Sequence, residues 1–394
     1  MDEMIAQQLV SIALALDDRL GKQHGLYPLL TREVYSYNIE PISSEWNALS
    51  EAIASLQEDL SGQGGDRVEY CIDLLSAFAM MVREGQGEQI SYTDRLAAYI
   101  QGPAKKVSTT HIDQIRLDLI KVLHDSGYKN EFIVAINDWK HSQAVESEDL
   151  LRLGNKYMQQ SLDRCSEMDL GIPEQHKIEL EFPVNYPYRG YSNYQGNYMG
   201  QVFMSADIEW QRAGIKQVVM HESIPGHQAF SAIRDKLYRN NSLGIEGTLY
   251  FANTPFTALV EGICEVGQQL IGLMTTEDDS IYDLYNRYTS AVATNLCFSC
   301  HLEGMSPEDA KVELMEATGV SRSFADQKLG FIMHPVWCTS FPHYWYGREL
   351  IRKIYLDRLM APEEILRTIY CEPHTARTLC EKLEIDYQRS VEQQ

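Results

Sequence analysis

Val218-Val219-Met220-His221-Glu222-Ser223-Ile224-Pro225-Gly226-His227-Gln228 is the stretch on which the reading of this chain turns. Two histidines and a glutamate fall within seven residues, directly after an apolar run. In the H-E-x-x-H arrangement, histidines at i and i+4 share a helical face and bind zinc, and the glutamate serves as general base. Here the second histidine comes at i+6. Six residues of ideal helix turn about 600°, which leaves the two rings about 120° apart and unable to share an ion. Pro225-Gly226 offers a remedy. Proline breaks the backbone ladder and glycine permits unusual dihedrals, so a local bulge is expected to bring His227 back beside His221. The bland alternative is a helix that ends at a Pro-Gly turn and carries two ordinary histidines.

Downstream, Thr254-Pro255-Phe256-Thr257-Ala258-Leu259-Val260-Glu261-Gly262-Ile263-Cys264-Glu265 reads as a buried helix, with Thr254 as N-cap and Pro255 as its first residue. A carboxylate deep in such a helix needs a partner or a metal. Glu261 follows His227 by 34 residues (261 − 227). Two histidines, a glutamate and an open fourth position make a catalytic zinc arrangement. Glu265 lies one turn later on the same face. It competes with Glu261 for the third place, or orients a ligand histidine from behind.

These residues resemble the family known as domain of unknown function 885, whose members look like helical zinc metallopeptidases. Its pattern is H-E-x-x-P-G-H followed by a glutamate in an E-G-W-A-like helix. The first element is complete from His221 to His227, and the second survives as Glu261-Gly262, with Ile263 in place of tryptophan. Cys300-His301-Leu302-Glu303-Gly304-Met305-Ser306-Pro307 is similar to a further family segment, and Tyr344-Trp345-Tyr346-Gly347 to its Y-x-x-G. The resemblance covers roughly residues 180 to 360 and rests on the order of these motifs. Phe230, Val266 and Gln268 depart from the family pattern. The resemblance implies zinc held by His221, His227 and Glu261, one ion per chain, although another divalent metal would fit the same donors. It also nominates Tyr344 and His301 as donors to an oxyanion.

The chain has 394 residues, 44% of them hydrophobic, which supports a full globular core. A net charge of −22 argues against nucleic acid and against anionic membrane surfaces. The N-terminus lacks the basic region and cleavage site of a signal peptide and reads as an amphipathic helix through Leu20. A cytoplasmic location is expected, with the eight cysteines reduced. Cys297-Phe298-Ser299-Cys300-His301 matches a haem-attachment string, but it sits in a continuous helical pattern, and core thiols are the plainer reading.

Residues 1–165 read as successive helices without a chemical motif, forming one wall of a cleft, and 166–394 as the catalytic portion, the two making one unit. Ser43 or Ser44 is expected to cap a helix running to Leu60. Lys177–Phe182 and Gln201–Ser205 read as strands, joined by a glycine-punctuated loop with Tyr186, Tyr188, Tyr191, Tyr194 and Tyr198. The expected fold is mainly α: a multi-helical zincin-like metallopeptidase fold with a small β-hairpin or sheet beside the metal site. The expected activity is hydrolysis of an amide in a short peptide or small amide, with Glu222 as base. A non-haem iron oxygenase and a catalytically degenerate helical scaffold are the alternatives. A homodimer is left open.

Overall fold

Residues 3–25, 29–30 and 39–387 are described by the computed structural model. Apolar faces at helical spacing produce α1 (Glu3–His24), α2 (Trp46–Leu60), α3 (Asp66–Gly85), α4 (Tyr92–Ile100), α5 (Thr109–Asp125), α6 (Phe132–Ser142) and α7 (Leu150–Glu167). In α3, for example, Tyr70, Leu74 and Phe78 are all buried. Ser91 and Ser108 cap α4 and α5 by accepting the backbone N–H of Asp94 and His111. The helix expected from Ser43 or Ser44 begins instead at Trp46 with Glu45 as an N-cap that makes no side-chain bond. Helix α7 runs past residue 165, and one hydrophobic cluster takes in side chains from Ala6 to Tyr387. Both portions of the chain therefore share a core.

A three-stranded sheet follows: β1 (Lys177–Glu181), β2 (Gly190–Tyr194) and β3 (Met199–Met204). The spatial order is β1-β3-β2, with β1 parallel and β2 antiparallel to the central β3. The two expected strands are β1 and β3. They do not pair as a hairpin: β3 turns back on β2, which lies within the stretch expected to be loop. This leaves β2 as an edge strand.

The remaining helices are α8 (Arg212–Glu222), α9 (His227–Arg239), α10 (Thr257–Leu270), α11 (Glu277–Leu302), α12 (Pro307–Thr318), α13 (Arg322–Ile332), α14 (Ser340–Leu356), α15 (Pro362–Cys371) and α16 (Ala376–Lys382). Helix α10 starts at Thr257, not Pro255, because the Thr254 hydroxyl turns back to the Phe251 carbonyl. Ser306 and Ser321 cap α12 and α13, and Pro307 opens α12. Helices α10 and α14 meet backbone to backbone. A Cβ on Gly262 would sit 2.5 Å from the Gly347 carbonyl oxygen, and one on Gly347 only 2.0 Å from that of Ala258. Only glycine permits such an approach. It sets Glu261 and Glu265 of α10 beside Tyr344 and Arg348 of α14.

Candidate metal centre and its cleft

The bulge expected at Pro225-Gly226 is a complete break. Helix α8 stops at Glu222, and α9 starts afresh at His227. Proline removes a ladder donor, and Gly226 allows a contact no other residue could make: a Cβ there would lie 1.7 Å from the His221 carbonyl oxygen. The junction is tied down on every side. Ser223 accepts the backbone N–H groups of Gln228 and Ala229 at 3.1 Å, which satisfies donors of the new helix. The hydroxyls of Ser161 and Tyr370 donate to the carbonyls of Ile224 and Pro225. Gly267 of α10 leaves room for the Pro225 ring. His221 thus ends one helix, His227 begins the next, and their ring centroids are 5.1 Å apart.

Glu261 reaches between them. Its Oε2 is 3.3 Å from His221 Nε2 and 3.7 Å from His227 Nε2. These separations are longer than the roughly 2.7–2.9 Å of a good charge-assisted hydrogen bond. They are close to the separation of about 3.3–3.4 Å between donors that each lie ~2.0–2.1 Å from one tetrahedral zinc. Glu261 Oε2 is buried without a hydrogen-bond partner among the described residues, while Tyr250 donates its hydroxyl to Oε1 at 2.9 Å. A buried carboxylate oxygen left bare costs free energy unless a cation answers it. The donor set therefore fits a divalent ion. Burial pushes the Glu261 carboxyl up, but His227 and His221 outweigh it and hold it well below the usual carboxylate range.

Glu265 stands behind His221, with Oε1 3.3 Å from Nδ1. Arg348 pairs with its Oε2 at 2.8 Å, and Asn286 donates to the same oxygen at 3.0 Å. A proton on Nδ1 facing this carboxylate leaves the Nε2 lone pair for the cleft. A second donor set shares the two histidines: Cys264 offers a sulfur within 4.8 Å of both. The bare oxygen of Glu261, 3.3 Å and 3.7 Å from the two histidine nitrogens, favours Glu261.

Glu222 is buried beneath β2. A Cβ on Gly190 would lie 2.6 Å from its Oε1, so only glycine lets the strand pass this close. Burial pushes the Glu222 carboxyl up, opposed by His221 and His227. The Tyr344 ring is 6.4 Å from that of His221, and no described residue bonds its hydroxyl. His301 does not join them. Its ring stacks on Tyr92 at 4.7 Å, and its Nε2 meets the Ile332 carbonyl at 2.7 Å, away from the cleft. Cys297 and Cys300 lie in α11, the former buried, and none of the eight cysteines forms a disulfide. Of the departures from the family pattern, Phe230 packs on Tyr250 and Phe256 in the core, and Gln268 donates to the Leu273 carbonyl.

The cleft above these groups has a volume of about 360 Å³. All of β2, from Gly190 to Tyr194, lines it. Tyr188 and Tyr191 stack at 5.9 Å on its wall, whereas the Tyr194 hydroxyl is taken by Asp235 at 2.6 Å. Tyr250, Cys264, Asn286 and Arg348 are site residues the sequence did not single out.

The fold has solved counterparts. One is described as a "putative lipoprotein" of Colwellia psychrerythraea: TM-score 0.59, 16% identity, 85% of this chain and 66% of that one. Another is described as a "putative lipoprotein of unknown function" of Shewanella oneidensis: TM-score 0.52, 14% identity, 83% of this chain and 75% of that one. The chain spans about two thirds of the length of the first and three quarters of the second. At such identities the likeness is one of fold. A scan against protein-family models and a search of the curated proteins give no match. Among the described residues, no helix is long and apolar enough to cross a membrane.

Proposed function

We propose that this protein is a metal-dependent hydrolase, most simply a zinc enzyme, that cleaves an amide bond in a short peptide or small amide. The observation that carries the reading is the bare, buried Oε2 of Glu261 facing the Nε2 atoms of His221 and His227. The resemblance to the metallopeptidase-like family points the same way. A bound divalent ion would lower the pKa of water towards ~7 and polarise a carbonyl. Glu222, open to the same cleft, takes a proton from the attacking water. The water oxygen joins the carbonyl carbon, and Glu222 returns the proton to the nitrogen as the C–N bond breaks. The unengaged Tyr344 hydroxyl donates to the oxyanion. Edge strand β2 pairs with the backbone of an extended substrate.

The iron-oxygenase alternative has no use for Glu222, and its usual β-barrel is not this three-stranded sheet. The degenerate-scaffold alternative loses ground because the histidines, Glu222 and Glu261 all line one cleft. A cytoplasmic location, with the eight cysteines reduced, stays part of the proposal as the expectation drawn from the sequence. The description of the two solved counterparts suggests an anchored protein instead, and cell fractionation separates the two. The test of function is hydrolysis of a diverse short-peptide library by zinc-loaded wild type and Glu222→Gln. The variant should keep its metal while kcat falls by ~10²–10⁴-fold. Turnover at the wild-type rate would remove Glu222 from the chemistry.

A further inference from the structure

Two cations in the cleft form no ion pair with an acid among the described residues. Arg189, immediately before β2, sets its guanidinium carbon 4.9 Å from the Trp210 ring and 5.8 Å from each of Tyr282 and Phe324. Its Nε is buried without a hydrogen-bond partner among the described residues. Lys328 of α13 places its ammonium 5.0 Å from the centroid of the same Phe324 ring and 4.6 Å from that of Phe341. Both residues line the cleft, and Phe324 is common to them. Among the described residues, neither forms an ion pair with an acid.

Three other interior cations each meet an acid, whereas Arg234 and Lys140 are held by backbone carbonyls. Lys216 pairs with Asp279 at 2.7 Å, Arg287 with Glu349 at 2.6 Å and Arg348 with Glu265 at 2.8 Å. Ring faces offset only part of the cost of removing a cation from water. Burial pulls the Lys328 ammonium down to about 8, the Arg189 charge adds to the effect, and Glu265 only partly opposes it. An anion arriving between them would relieve both. The acids Glu222, Glu261 and Glu265 line the same cleft, so it carries charge of both signs.

We propose that Arg189 and Lys328 form a carboxylate-binding subsite, so that the preferred substrates carry a carboxylate close to the cleaved amide. The inference rests on the hydrolase reading and narrows its substrate class. Placement supports it: Gly190, the neighbour of Arg189, is the residue that passes over Glu222. The carboxylate is either a peptide's C-terminus or an acidic side chain.

The experiment compares three N-acetylated peptides on the zinc-loaded full chain: Ala-Phe with a free carboxylate, Ala-Phe amide, and Ala-Glu amide. The free acid, the glutamyl amide or both should exceed Ala-Phe amide in kcat/KM by ~10–100-fold, the worth of a charge-assisted contact. Whichever wins identifies the source of the carboxylate. In Lys328→Met, which keeps an unbranched apolar stem against Phe324 and Phe341, that ratio should fall towards one, and Arg189→Gln is the second variant. Equal turnover of all three peptides by wild type overturns the subsite and leaves the hydrolase reading standing. Calorimetric binding of the same peptides to zinc-loaded Glu222→Gln supplies a readout without turnover. Tighter binding of the anionic peptides there, with none hydrolysed by wild type, supports the subsite and sinks the hydrolase.

Discussion

Glu261 and Cys264 stand three residues apart on α10, and both face the two histidines. Their substitution separates the donor sets. His227→Ala and Glu261→Ala should come close to abolishing metal binding, whereas Cys264→Ala should leave it intact. Glu265→Ala, which removes the partner of His221 Nδ1, should weaken metal affinity by ~10–100-fold. Titration against a competing chelator ranks the four. A Cys264→Ala protein that lost its metal would replace Glu261 by the thiolate. The acids of α10 were legible because charge inside an apolar helix needs a reason. Tyr250 and Arg348 were not, since contact across helices leaves no trace in local spacing. His301 shows the same limit. Ser290 of α11 lines the cleft, but His301 lies 11 residues further on (301 − 290), about 16 Å along the axis.

Four helices begin where a serine cap coincides with an apolar period, at Ser91, Ser108, Ser306 and Ser321. Strand β2 escaped because Gly190-Tyr191-Ser192-Asn193-Tyr194 has no apolar alternation, and its pairing with β3 alone makes it a strand. The backbone-to-backbone contact of α10 on α14 depends on two missing side chains. Gly347→Ala would drive a methyl to 2.0 Å from the Ala258 carbonyl oxygen, so the helices must separate. Overpacking of this kind costs ~1–3 kcal/mol. Thermal unfolding should therefore come earlier, and metal affinity should drop with it, since Glu265 and Arg348 face each other across this crossing. Unchanged affinity in a destabilised Gly347→Ala protein would show that the crossing does not set the site.

Across the whole molecule, buried ion pairs join the helices around the cleft. Lys216 of α8 holds Asp279 at the start of α11, and Arg287 of α11 holds Glu349 of α14. Burial pushes both carboxyls up, but Arg287 and His111 outweigh it at Glu349, and Lys216 and the Thr275 backbone outweigh it at Asp279. Both therefore titrate lower in the folded chain than when unfolded. The stability they contribute is present above the unfolded pKa values of 4.5 and 3.8, and is lost as pH falls through the folded ones. Urea midpoints should hold from pH 7 to about 5 and fall steeply below 4. Glu349→Gln should start lower at pH 7, because it strands Arg287, and should lose less on acidification. A Glu349→Gln protein with the wild-type acid slope would place the acid sensitivity elsewhere. The shared core was legible from hydrophobic content and helix count, but which charges meet inside it was not.

The break between α8 and α9 has a consequence for how the motif itself is counted. Excising Pro225 and Gly226 would leave His-Glu-Ser-Ile-His, the commonest zinc-enzyme signature, in the edited text. The edited protein would nevertheless be poorer in metal. The Pro225 ring against Gly267 and the Tyr370 hydroxyl on the Pro225 carbonyl would be gone, and with them the anchorage from which α9 departs. The two histidines here are brought together by a break between two helices and not by a helical period, so two chains can share a signature without sharing the construction beneath it.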